Sequence, residues 1–114
     1  MASKKQIGVL LVDKASGDQM GFIEFDPSGA LAYHKMKPEM HVYAFRGIDR
    51  LLREDWITQP LYKKHAKSMD KNKKLPDEIL EQEANSCADF LNSLESPPNM
   101  GRHIVKAQVV VREI

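Results

Sequence analysis

Apolar and polar positions change rhythm several times along this chain, and each change marks an element. The one unbroken apolar run is Ile7–Val12. A strand with one wet face alternates, whereas a strand covered on both faces reads as continuously apolar. The run is too short for a helix, and its Val and Ile content favours extended backbone. It is therefore expected to be an inner strand, with Ile7, Val9 and Leu11 on one face and Leu10 and Val12 on the other. A turn cluster follows at Lys14–Gln19. Met20–Asp26 then alternates, with Gly21, Ile23 and Phe25 facing one way and Met20, Phe22 and Glu24 the other. Asp26-Pro27-Ser28-Gly29 carries the residues of a type I turn. Ala30–Lys37, with Leu31 and Tyr33 on one face, reads as the third strand of an antiparallel meander.

Beyond Pro38 the period becomes helical. Met40, Ala44, Ile48, Leu51, Leu52 and Trp56 share one stripe, so a helix is expected from Glu39 to Trp56. Gly47 weakens it, and the alternative is a short strand at Met40–Phe45 with the helix starting after Gly47. Lys63–Lys74 holds six lysines against the single acid Asp70 and almost no apolar residue. It is expected to be a mobile basic loop with a helical turn near Tyr62–Lys67. Leu75-Pro76-Asp77-Glu78 opens a second helix, because Pro suits a first turn and acids suit the positive end of the helix dipole. Leu80, Ala84, Cys87, Leu91 and Leu94 form its stripe, and Ser96-Pro97-Pro98-Asn99 stops it. His103–Ile114 alternates again, with Val105, Ala107, Val109 and Val111 opposite Lys106, Gln108 and Arg112.

The element order β-β-β-α-α-β predicts an α+β two-layer sandwich. It has an antiparallel four-stranded sheet in the order 3-2-1-4 and two helices on one face. This order places the apolar run inside the sheet. The whole chain, residues 1–114, is read as a single domain, with residues 63–74 as a loop within it.

Composition narrows the function classes. A net charge of +1 gives no global attraction for a polyanion. One cysteine, Cys87, excludes an internal disulfide and a Cys-rich zinc site. No stretch is long enough to span a bilayer, and no signal-peptide core is present, so a cytoplasmic protein without membrane contact is expected. His34, His41, His65 and His103 show no metal-ligand spacing, although His34 and His41 flank the Pro38 turn with Glu39. Cys87 sits on an apolar stripe in an acidic helix, the setting of an inert thiol. No Gly-rich phosphate loop is present and no carboxylate stands in an apolar run. No catalytic residue, metal or cofactor is therefore assigned, and the enzyme class has the least support.

Two surfaces remain as candidates. Two helices cover one side of a four-stranded sheet, which leaves Leu10, Val12, Met20, Phe22 and Met36, with Ala32 and Val110, on its back. A large apolar patch of this kind marks an interface, and Met suits an adaptable one. The leading expectation is a small non-enzymatic protein-interaction module that binds a protein partner or itself through this face. A regulator, inhibitor or assembly adaptor of the kind a phage or other mobile element encodes would fit. The alternative is a nucleic-acid-binding module. Arg46, Arg50 and Arg53 lie at i, i+4, i+7 on one helix face, and Lys63, Lys64 and Lys67 in the basic loop would extend the patch. Only Tyr62 is close to these lysines in sequence, so base stacking is not signalled there.

Overall fold

The computed structural model describes residues 5–113. Strands β1 (Lys5–Asp13), β2 (Gln19–Phe25) and β3 (Leu31–Lys35) form the meander. A 3-10 turn at Val42–Phe45 leads into α1 (Arg46–Leu51), which continues as a π turn over Leu52–Trp56. Helical turn α2 (Leu61–Lys64) and a 3-10 turn at Ala66–Ser68 precede the long helix α3 (Asp77–Asn92). Strands β4 (Asn99–Met100) and β5 (His103–Glu113) close the chain as a hairpin. The fold is α+β, and the sheet is antiparallel in the order β3-β2-β1-β5-β4. Four strands were expected, and five are present among the described residues. The additional strand β4 is two residues long, too short to leave a periodic signal, and it adds to the outer edge of the last strand.

β1 is the inner strand, paired with β2 on one side and with β5 along its whole length on the other. Ile7, Val9 and Leu11 join Ile23, Phe25, Val105 and Ala107 in the main core, with Ile48, Leu52, Leu80, Ala84, Cys87 and Leu91 from the helices. Burying each of the Val, Leu, Ile and Phe side chains among them contributes about 1.5–3 kcal/mol. Gly21 lets the sheet come close to its cover, since a Cβ there would lie 2.7 Å from the Phe45 ring.

Two local expectations change. The first helix does not begin at Glu39. His41 is extended, and its ring nitrogen Nδ1 accepts from the Tyr43 N–H, which starts a 3-10 turn there instead. The π turn then swings Trp56 onto Phe25, with ring centroids 6.1 Å apart, and its indole N–H donates to Ser86. The second helix ends at Asn92 with Ser93 as its C-cap, before the Pro-Pro stop. The lysine-rich stretch carries α2, the Ala66–Ser68 turn and a turn closed on Asp70, whose carboxylate accepts from the Asn72 and Lys74 N–H groups. Its far end is tied to the meander where the Leu75 N–H donates to the Pro27 carbonyl.

Gly8 tests this packing. A Cβ there would collide with the Ile23 carbonyl oxygen and lie 2.8 Å from the Phe22 ring. Gly8→Ala is expected to destabilise the fold by about 1–3 kcal/mol, read by chemical denaturation. A variant as stable as wild type would show that Phe22 does not lie over Gly8.

Candidate interaction site

The back of the sheet holds a separate small cluster of Leu10, Val12 and Phe22, with Met36 and Val110 packed against it. Met20 does not belong to it. The β1–β2 register shifts between Leu11, opposite Gly21, and Val12, opposite Gln19, so Met20 is the extra residue of a bulge. The bulge breaks the alternation and turns Met20 into the main core.

The cluster is also not an open patch, as the pattern alone suggested. Phe22 is 1% exposed, and Leu10 and Val12 are buried. The cover comes from long polar side chains on neighbouring strands. The Arg112 guanidinium lies 5.1 Å from the Phe22 ring centroid and its Nε donates to Gln6, while the His34 ring stacks on Phe22 at 6.3 Å and pairs with Glu24. The stems of such residues shield apolar surface while their heads stay wet.

Half of the basic residues of the expected patch are ion-paired within the fold. Arg50 pairs with Glu54 and Arg53 with Asp49, both at i, i+4. Lys64 donates to Glu83 at 2.7 Å, and His65 meets the same carboxylate oxygen at 2.7 Å. Of the six cations in the expected patch, Arg46, Lys63 and Lys67 have no ion pair among the described residues.

The outer edge of β5 is a site that the hydrophobic pattern did not single out. Its even-numbered residues face β1, as the bond from Lys14 N–H to the Ile104 carbonyl indicates. The odd-numbered ones face outward. The Val105 N–H donates to Pro98, and Ala107 is held by Asn92 of α3, whose amide accepts from Ala107 N–H and donates to its carbonyl. Asn92 thus takes the place of a neighbouring strand at one residue. Past it, the outward N–H and carbonyl groups of Val109, Val111 and Glu113 have no partner among the described residues. Val111 is 40% exposed, and the Val109-Val110-Val111 run carries none of the Lys or Pro that usually blunts an edge.

At the other end of the sheet, the chain between β3 and α1 and the β4–β5 hairpin enclose a cleft of about 630 Å³. Met20, Met40 and Met100 are among its lining residues, with His41 and Tyr43 on one side and Arg102 and His103 on another. The buried Asp13 carboxylate accepts from the Ala15 N–H and pairs with His103 Nδ1 at 2.9 Å. The Ala15 bond is the strongest influence on it, and with His103 it keeps the carboxyl below its usual range.

Other buried polar groups serve the fold. Burial pushes the Cys87 thiol up to about 12, aided by the Glu83 charge, so it is protonated and unreactive at neutral pH. Burial also raises Tyr33, whose hydroxyl donates to Asp49. His34 and His41, which flank the Pro38 turn, have separate partners in Glu24 and the Tyr43 N–H.

No protein-family model, curated protein or solved structure matches this chain. Among the described residues no helix is long and apolar enough to cross a membrane.

Glu83 gives the fold a pH dependence. Burial opposes its charge, but hydrogen bonds from Lys64 and His65 outweigh this and hold its carboxyl below the ordinary value. A depressed folded value means the stabilisation is full above the unfolded carboxylate range, about 4.3. It is lost as pH falls through the lower folded value. Glu83→Gln is expected to cost about 1–3 kcal/mol at neutral pH, with the gap to wild type closing on acidification. Denaturation curves over a pH series check it, and a gap independent of pH would refute it.

Proposed function

We propose that this chain is a non-enzymatic interaction module that assembles by strand addition at the outer edge of β5. The observation that carries this reading is the outward row of Val109, Val111 and Glu113, whose backbone groups have no partner among the described residues. A strand edge in this state is a template for another strand. The proposed occupant is β5 of a second copy, running antiparallel and centred near Val111. Asn92 blocks Ala107, so pairing is confined to residues beyond it. Arg112 and Glu113 cancel in charge, so two copies do not repel along this edge.

Strand addition of this kind extends one sheet across two subunits and buries little side-chain area, which suits a regulatory or adaptor contact of modest strength. Leu10, Val12, Phe22 and Met36 then stiffen the sheet behind the contact. Val110, packed against that cluster, links it to the edge.

Val111→Pro separates the two roles. The N–H it removes points outward, so the β1 ladder is retained while a docking strand loses a donor. Sedimentation across a concentration series is expected to show wild type dimerising and Val111→Pro monomeric, with unchanged circular dichroism. Phe22→Glu, by contrast, is expected to unfold the protein, because Phe22 is buried within one copy. A wild type that stays monomeric at every concentration, or a proline variant that dimerises equally well, would overturn the proposal.

A further inference from the structure

We infer that the cleft between the β3–α1 segment and the β4–β5 hairpin is a binding site for an unpaired base and its phosphates in single-stranded nucleic acid. Its platform is the Tyr43 ring. Tyr43 is 68% exposed, an unusual state for an aromatic residue on a short ordered turn. His41 stacks on it with centroids 4.5 Å apart and planes 29° apart. The stack is built in advance, since His41 Nδ1 accepts from the Tyr43 N–H and so fixes the imidazole. The Arg46 guanidinium stands 5.9 Å from the Tyr43 centroid.

Arg46 beside the ring and Arg102 in the cleft wall have no ion pair among the described residues, while Lys37 in the same wall pairs with Asp18. Unpaired cations such as Lys63 and Lys67 occur elsewhere too, and what sets this place apart is the exposed ring beside a guanidinium. Among the described residues, Glu39 is the only carboxylate lining the cleft. His103, held at Nδ1 by Asp13, keeps its other ring nitrogen available. An exposed, preorganised aromatic flanked by unpaired guanidinium groups is the combination that single-strand binding requires, with stacking for the base and cations for the phosphates. The cleft volume of about 630 Å³ lies within the range of small-ligand sites. An acidic peptide would use the same cations, but it does not use the flat face of a stacked pair. The site lies at the opposite end of β5 from the proposed dimer edge, so the two readings stand or fall separately.

The test is fluorescence anisotropy with a labelled single-stranded oligonucleotide, a strand of equal length and charge that lacks bases, and the corresponding duplex. Wild type is expected to prefer the single strand over both others. Tyr43→Ala is expected to weaken the single strand at least about fivefold and leave the abasic strand unchanged, while Tyr43→Phe retains affinity. Arg46→Ala is expected to weaken both single strands and to lower the slope of log affinity against log salt by about 0.7. Charge reversal at Lys63 and Lys67 is expected to leave binding unchanged, and Val111→Pro likewise. Equal affinity for the base-bearing and abasic strands, a preference for duplex, or competition by polyglutamate as effective as by oligonucleotide would each overturn the inference. So would the absence of binding at low salt.

Discussion

The rest of the structure depends on keeping both faces of β1 dry. This strand pairs with β5 along its full length and with β2 over most of its own, so it cannot move aside and expose a face. Among the described residues the helical cover lies on one side, where α3 packs on β1 and Ile7, Val9 and Leu11 share the main core with Leu52 of the π turn. On the other side the apolar residues are few enough for single side chains to shield them. The tip of the Phe22 ring reaches over Gly8, where no Cβ intervenes, and Arg112 and His34 close over the ring. A second layer of helices is unnecessary because the buried cluster on this side is small: Phe22, Leu10 and Val12, with Met36 and Val110 packed against them.

On the back of the sheet the Phe22 ring is sealed over by Arg112 and His34. The backbone edge of β5 has no such seal beyond Ala107, because Asn92 is the last residue of α3 and its amide serves one position only. Covering the edge further would require the helix to continue along it. Instead, Ser93 donates back to the Phe90 carbonyl and the chain turns away.

Electrostatics follows the same economy. A composition of nearly balanced charge folds into local pairs, such as Arg50 with Glu54, Arg53 with Asp49 and Lys37 with Asp18. Exposed pairs of this kind add little stability, but they remove the cations from circulation. Glu83 is different. It is buried under Lys64 and His65, one carboxylate oxygen has no hydrogen-bond donor among the described protein atoms, and the pairing fastens the lysine-rich stretch to α3. Arg102, which has no ion pair among the described residues, lines the cleft, and Arg46, likewise without one, stands over the Tyr43 ring that also lines it.

The residue pattern alone was enough to place the three meander strands, the inner position of Ile7–Val12, the stripe of α3 and the alternation of β5. Each is periodic over several residues, and periodicity reports which face is buried. The same pattern separated Leu10, Val12 and Phe22 from the helical side. It could not show that Met20 leaves this group, because a one-residue bulge is created by the pairing of two strands and has no period of its own. Nor could it distinguish a face that lacks helices from a face that is open, since Arg112 and Phe22 are far apart in the chain and meet only across β1. The ion pair of Lys64 with Glu83, the amide of Asn92 at Ala107 and the joining of Tyr43 to Arg102 around one cleft are likewise contacts between distant segments. Local sequence sets which residues are apolar, charged or helical; tertiary structure decided which of them are covered, which are neutralised and which still face solvent, because those properties depend on neighbours that only folding brings together.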